Sequence, residues 1–267
     1  MGNKTTNRIP SGFPMLDLMA GGYHSGEMTV VRFLGHEFDA EIVQHFIERQ
    51  AMNFAMAAMN IPTLFVSFQM SDIDITRSMM MDKYISLEKL AHSKIYIHGR
   101  KKTKPVPSVH ELETYLKEYI PKYEIKALII DGIENIIPGV LDDRESISRT
   151  IVLMLQRIAS VFGLPVIVSD YDNVLEATAK DFPNLIEITL NHDINDRTQA
   201  TIDRGNGSDI LIEDIYAEKQ SVGIELVRST AEYYLSNGCL PEATDEFQSL
   251  INAAATIVCR IDKMLMQ

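Results

Sequence analysis

Short apolar runs alternate with stretches of helical periodicity along most of the chain. Met28–Leu34 reads as a buried strand, because a short, mostly apolar run rich in β-branched residues suits a strand covered on both faces. Glu41–Met59 follows as a helix, with Ile42, Val43, Phe46, Ile47, Met52, Ala55, Met56 and Met59 at helical spacing. Thr63–Phe68 predicts a second strand. Ser71–Met81 predicts a second helix, with Ser71 as N-cap ahead of Asp72 and Asp74. A hydroxyl there satisfies a first-turn N–H, and acids favour the positive end of the helix dipole. The pattern continues with strands over Lys94–His98, Ala127–Asp131 and Pro165–Ser169 and helices over Val109–Tyr119 and Ser146–Phe162. Leu185–Leu190, Ile210–Ala217 and Ile224–Ser229 then predict strands with no long helix between them.

Strands alternating with helices imply crossover units and a parallel sheet with helices on its faces. The final strands predict antiparallel pairing at one edge. The expected class is therefore α/β: a mainly parallel sheet sandwiched by helices, antiparallel strands at one edge, and an extra C-terminal helix. That last helix spans Ala243–Gln267, with Phe247, Leu250, Ile251, Ala254, Ile257, Val258 and Ile261 on one face. Such a stripe either packs on its own domain or receives a partner. The expected division is a tail over 1–8, a main domain over 9–230 and a helical extension over 231–267.

Composition narrows the class. Among 267 residues, 46% are hydrophobic, enough to build a core and unlike a disordered chain. No run approaches the ~18 apolar residues of a membrane span, so the expectation is a cytoplasmic protein without membrane contact. Two cysteines, Cys239 and Cys259, are too few for a disulfide framework and sit in no metal-ligand pattern. Lys plus Arg total 25 against 37 Asp plus Glu, a net charge of −12. That balance argues against a strong nucleic-acid clamp, which needs many cationic phosphate contacts.

The opening segment carries a resemblance. It reads Ile9-Pro-Ser-Gly-Phe-Pro-Met-Leu-Asp-Leu-Met-Ala-Gly-Gly-Tyr-His-Ser-Gly-Glu-Met28. This is similar to the start of the RecA-like ATPase domain in the DnaB family of replicative helicases. Thr63–Ser71, Ala127–Asp131, Ile147–Asp170 and Ala217-Glu-Lys-Gln220 resemble later segments of that domain in the correct order. The resemblance spans Ile9 to about Ser229 and implies a RecA-like P-loop fold.

It also shows what has changed. A working P-loop cradles phosphates with glycine backbone N–H groups, a lysine and a Mg²⁺-holding hydroxyl. The corresponding loop here is Phe33-Leu-Gly-His-Glu-Phe-Asp-Ala-Glu41. The degenerate nucleotide-binding positions are then Gly35, His36, Glu37, Phe38, Asp39 and Ala40. Phe38 falls at a glycine, Asp39 at the lysine and Ala40 at the hydroxyl. A carboxylate ~5 Å from a phosphate charge is repelled by about 3 kcal/mol at an effective dielectric near 20. The resemblance further implies that Asp131 keeps the Walker B aspartate and that Gln69 replaces the catalytic glutamate. It puts Asp170 at the γ-phosphate sensor, Ser221 at the arginine finger, and leaves Lys219 as the nearest candidate cation.

Other chemistry is sparse. Arg100, Lys101, Lys102 and Lys104 form the basic cluster, a candidate nucleic-acid contact or a solvated loop. The segment 170–196, where the family carries DNA-binding loops, is strongly acidic here, holding Asp170, Asp172, Glu176, Asp181, Glu187, Asp193 and Asp196 against Lys180. The seven histidines show no zinc spacing, so no metal is expected. His36, Glu37, Asp39 and Glu41 are an acidic cluster that would suit a cation or simply face solvent.

The functional expectation is a DnaB/RecA-like homologue that has lost ATP hydrolysis, with no catalytic residues and no cofactor. It would act as a protein-interaction or regulatory module linked to DNA replication or recombination, its partner or a second copy docking through 243–267. The alternatives are a helicase-like ATPase that holds Mg-ATP at a non-standard phosphate site, and a nucleic-acid-binding protein without ATPase activity.

Overall fold

The computed structural model describes residues 8–33, 40–56, 59–81, 87–101, 103–136, 144–175, 182, 184–192, 197–205 and 209–216. The chain divides into two compact units: residues 1–12 with 16–215, and residues 13–15 with 216–267. In the second unit, the described rings of Phe13 and Tyr216 meet edge to face, centroids 5.6 Å apart.

An N-terminal ribbon pairs β1 (Arg8–Ile9) with β2 (Tyr23–His24), and α1 (Pro14–Met19) lies between them in sequence. The sheet of the first unit is built from β3 (Met28–Phe33), β4 (Thr63–Ser67), β5 (Ile95–His98), β6 (Ala127–Asp131), β7 (Val166–Ser169), β8 (Leu185–His192), β9 (Thr198–Asp203) and β10 (Ile210–Ile212). The helices between the strands are α2 (Ala40–Ala55), α3 (Asp72–Met81), α4 (Leu87–Ala91), α5 (Val109–Lys122) and α6 (Arg144–Phe162). The strand order is β10-β9-β8-β3-β7-β6-β4-β5. From β8 to β5 every pairing is parallel, while β8–β9 and β9–β10 are antiparallel. This is the expected mostly parallel sheet, flanked by helices, with an antiparallel edge.

Every residue of β4, β6 and β7 is buried, as a sheet covered on both faces requires. Strand alternation divides the core. Val30, Val66, Ile130 and Val168 pack in one cluster with Leu112 and Leu116 of α5 and Ile151 and Leu155 of α6. The alternate residues belong to the opposite face, where α2 packs against β3, β4, β6 and β7.

The structure differs from the sequence reading in several places: β1, α1, β2 and α4 are absent from that reading, and the helix expected over Glu41–Met59 ends at Ala55. The antiparallel edge uses Thr198–Asp203, which apolar content alone does not mark. The strand expected over Ile210–Ala217 ends at Ile212. The helix from Val109 runs through Pro121 to Lys122, because Ile120 in its last turn is buried. The expected strand 224–229 and helix 243–267 lie outside the described residues.

The opening motif has a local structural explanation. The Asp17 carboxylate accepts the backbone N–H groups of Ser11 at 2.6 Å and Gly12 at 3.1 Å. Gln50 and Asn53 of α2 donate to the Ser11 carbonyl at 2.7 and 3.2 Å. Gly12 has a φ of 79°, and a Cβ there would sit 2.8 Å from the Asn53 Cβ, so only glycine fits. These bonds tie the chain entry to α2.

Candidate functional site

In open α/β sheets, ligands gather at the carboxyl ends of the parallel strands. Asp131 ends β6 there and is 1% exposed. Ser67 at the end of β4 donates to its Oδ2 at 2.6 Å. Ser169 of β7 and Tyr171 donate to its Oδ1 at 3.1 and 2.8 Å. The serine protons are directed by the backbone. Ser67 Oγ accepts from the N–H groups of Gln69 and Met70, and Ser169 Oγ from Gly132. With both lone pairs of Ser67 used, its hydroxyl turns its hydrogen to the carboxylate. Burial raises the Asp131 pKa, and the hydroxyl bonds oppose that rise. The result is a clasp across β4, β6 and β7. Both carboxylate oxygens accept hydrogen bonds from inside the protein.

Asp170 is committed elsewhere. It is 0% exposed and accepts Arg32 Nε at 3.1 Å and the N–H groups of Val174 and Leu175 at 2.8 and 3.1 Å. Arg32 near the end of β3 also pairs with Glu187 of β8 and donates to the Leu175 carbonyl. Asp170 is thus part of a buried ion network with Arg32 and Glu187.

Gln69 donates through Nε2 to Glu134 Oε1 at 2.9 Å. Its amide is no base. Glu134 lies in the 3-10 turn Ile133–Ile136 just after β6. Burial, reinforced by the charges of Asp131, Asp172 and Asp170, pushes its pKa up to about 7. Glu48 on α2 is 4% exposed and is held by Ser78 at 2.7 Å and Gln44 at 3.0 Å. Its pKa is also pushed up to about 7, chiefly by burial, with Asp131 adding to it. The strand ends therefore collect carboxylates: Asp131, Asp170 and Glu48 have internal partners, whereas Glu134 Oε2 is buried without one.

Of the residues expected from the sequence, Gly35, His36, Glu37, Phe38, Asp39, Lys102, Lys219 and Ser221 lie outside the described residues, and Ala40 opens α2. Asp131 and Asp170 share the strand ends but not a cavity: neither lines the two cavities found at the β4–β5 end. Arg100, Lys101 and Lys104 line the larger of these, about 440 Å³ in volume. Among the described residues, no group of three or more His, Cys, Asp or Glu is placed to hold a metal, and no helix is long and apolar enough to cross a membrane.

Sequence reasoning missed Arg32, Ser67, Ser169 and Tyr171, which engage the two aspartates. It also missed Glu48 and Glu134. A signal existed for two of them. Arg32 is a cation inside a buried strand, and Glu48 is an acid on the apolar face of α2; each demands an internal partner.

No protein-family model matches the chain, and no curated protein matches its sequence. Solved structures do match. The ATPase domain of the protein G40-P is 15% identical, with a TM-score of 0.56, covering 78% of this chain and 88% of that one. A KaiC-like protein from the hyperthermophilic archaeon Pyrococcus horikoshii is 19% identical, with a TM-score of 0.46, covering 74% and 87%. At 15% identity the likeness to the first is one of fold alone: a mostly parallel sheet flanked by helices with an antiparallel edge, matching a RecA-like P-loop NTPase architecture.

Proposed function

We propose that the chain is a RecA-like module that does not hydrolyse ATP and acts by binding a protein partner, in the replication or recombination setting that its DnaB-like motifs suggest. The observation that carries this reading is the clasp on Asp131. Three hydroxyls hold the one carboxylate that a RecA-like site would need for magnesium. The Arg32–Asp170–Glu187 network supports it, as do Phe38, Asp39 and Ala40 at the positions of a P-loop glycine, lysine and hydroxyl. On this reading the apolar face of 243–267, with Ile251 and Val258, receives the partner or a second copy. The acidic balance leaves DNA binding weak or absent.

The test is calorimetric titration of the full chain with ATP, with and without Mg²⁺, beside a hydrolysis assay. The expected result is no Mg²⁺-dependent heat up to millimolar nucleotide, and no turnover. A Mg²⁺-dependent dissociation constant in the micromolar range would overturn the reading and favour a non-standard phosphate site, since binding of that strength must also raise the melting temperature. Light scattering of the chain beside a variant carrying Ile251→Glu and Val258→Glu tests the interaction face for self-association.

A further inference from the structure

The cavity at the β4–β5 end of the strand edge is built differently from the region around Asp131. Its floor is apolar: Val66, Phe68 and Leu112 are buried there, and Val106 and Tyr115 complete it. Its rim carries Arg100, Lys101 and Lys104. Among the described residues no carboxylate pairs with any of these three cations. Glu111, the one acid on the lining, is spent on Ser108 in a capping box at the start of α5. In a chain of net charge −12, this is a local excess of positive charge over an apolar surface.

Two further observations point to a ligand. The Tyr115 hydroxyl oxygen is buried and has no hydrogen-bond partner, an omission that native interiors rarely leave. Burial pushes its pKa up, so it keeps its proton and remains a donor. Arg100 and Lys104 are also held by their backbones. Arg100 N–H bonds to the Met70 carbonyl at 2.6 Å, and Lys104 N–H to the Lys101 carbonyl at 2.9 Å. Pro105 and Pro107 stiffen the segment between Lys104 and α5. Gly99 donates to Asp72, and a Cβ at Gly99 would collide with the backbone of Ser71 and Asp72. A wall fixed in this way loses little entropy when a ligand binds.

We infer that this cavity binds a small organic anion of nucleoside-monophosphate size, with its planar body on Phe68, Val106, Leu112 and Tyr115 and its phosphate on Arg100, Lys101 and Lys104. The volume of about 440 Å³ lies within the range of small-molecule sites, ~300–1,000 Å³. Arg100 also borders a second recess of about 390 Å³, which Gln69, Met70, Ser71 and Asp74 complete. The Asp74 carboxylate there disfavours a longer polyphosphate, so one phosphate suits the site better than three. The cavity borders the Asp131 region through Ser67, which lines it and also donates to Asp131, but the inference needs neither Mg²⁺ nor the loop at 33–41.

The experiment titrates the full chain with AMP, GMP, CMP and UMP in EDTA, beside inorganic phosphate, adenosine and ATP. At least one monophosphate is expected to bind one per chain, with a dissociation constant on the order of 100 μM. Inorganic phosphate, adenosine and ATP should each bind at least ~10-fold more weakly. Replacing Arg100→Glu together with Lys104→Glu should weaken binding by at least ~10-fold, with the melting temperature unchanged. Tyr115→Phe, which keeps the ring, should weaken it by about 3–10-fold. Three results would overturn the inference: no monophosphate bound at ~10 mM, binding that survives charge reversal, or binding that requires Mg²⁺. An oligothymidylate that binds more tightly with length while every monophosphate fails would also overturn it, and would assign the basic loop to a nucleic-acid strand.

Discussion

Two ends of one strand edge treat their polar groups in opposite ways. At the β6–β7 end, Asp131 is met by three hydroxyls and Asp170 by a guanidinium and two backbone N–H groups. At the β4–β5 end, three cations rim a cavity without a described carboxylate partner, and the Tyr115 hydroxyl is orphaned. The RecA-like architecture would lead one to seek chemistry at the first end. The β6 end also holds an orphan, Glu134 Oε2, so the contrast lies in charge: the two aspartates of the first end are bonded internally, whereas the second end presents cations to a cavity. Fold places a site in general, and bonding decides whether it remains one.

The strongest way to break this comparison is to remove Arg32. Arg32→Met leaves Asp170 and Glu187 facing each other without their cation, and losing one partner of a buried pair costs about 3–5 kcal/mol. Urea unfolding should show that loss. A cost below ~0.5 kcal/mol, the level of an ordinary surface change, would mean that the network is not structural and that Asp170 is open to other work.

Glu48 gives the next effect, through pH. Its folded pKa of about 7 lies above the ordinary value of 4.5, so the folded state binds the proton more tightly. Stability is therefore highest below about pH 4.5 as far as this group is concerned, and falls as pH rises through about 7. Glu48→Gln mimics the protonated form and keeps partners for Gln44 and Ser78. At pH 8 it should stabilise the protein by up to about 3 kcal/mol, and at pH 4 by nearly nothing. Glu134 adds a slope of the same sign that this variant retains. Equal stability gains at pH 4 and pH 8 would show that Glu48 is not carrying the titration.

Asp131→Asn tests the clasp itself. The amide puts a donor where a hydroxyl now donates, at a cost of about 1–3 kcal/mol. The loss should be the same with and without Mg²⁺. A Mg²⁺-dependent difference between wild type and variant would show that the carboxylate reaches a metal after all, and the two ends of the edge would no longer contrast.

The sheet was legible because β4, β6 and β7 are buried on both faces and read as short, mostly apolar runs. β9 was not, since Thr198-Gln-Ala-Thr-Ile-Asp203 alternates buried and half-buried positions using threonine and alanine rather than large apolar residues. The aspartates at the strand ends could be picked out by motif, but not their partners. Ser67 and Asp131 are 64 residues apart, and Arg32 and Asp170 are 138 apart. Such pairs meet only through strand order, which one sequence does not display. The cavity left a fainter trace. Tyr115, Tyr119 and Tyr123 recur every four residues along α5, and their rings stack with centroids 5.0 and 4.2 Å apart while His98 of β5 meets Tyr119 at 4.7 Å. That spacing could have shown that α5 turns an aromatic stripe to the edge strand.

Tyr115 also gives the smallest effect, and one whose sign sharpens the comparison. Its neighbour shows what a satisfied phenol looks like: Tyr119 shares a 2.8 Å hydrogen bond with His98 Nε2. The Tyr115 hydroxyl has no such bond, so deleting it removes a desolvated polar group and leaves the ring packing in place. Without ligand, Tyr115→Phe should therefore raise stability by about 1 kcal/mol, measured as a higher melting temperature. Saturating monophosphate should reverse the order, because the wild type has a donor to offer the ligand and gains more on binding. If the variant melts below wild type without ligand, the hydroxyl already has a partner, and Tyr115 no longer differs from Tyr119.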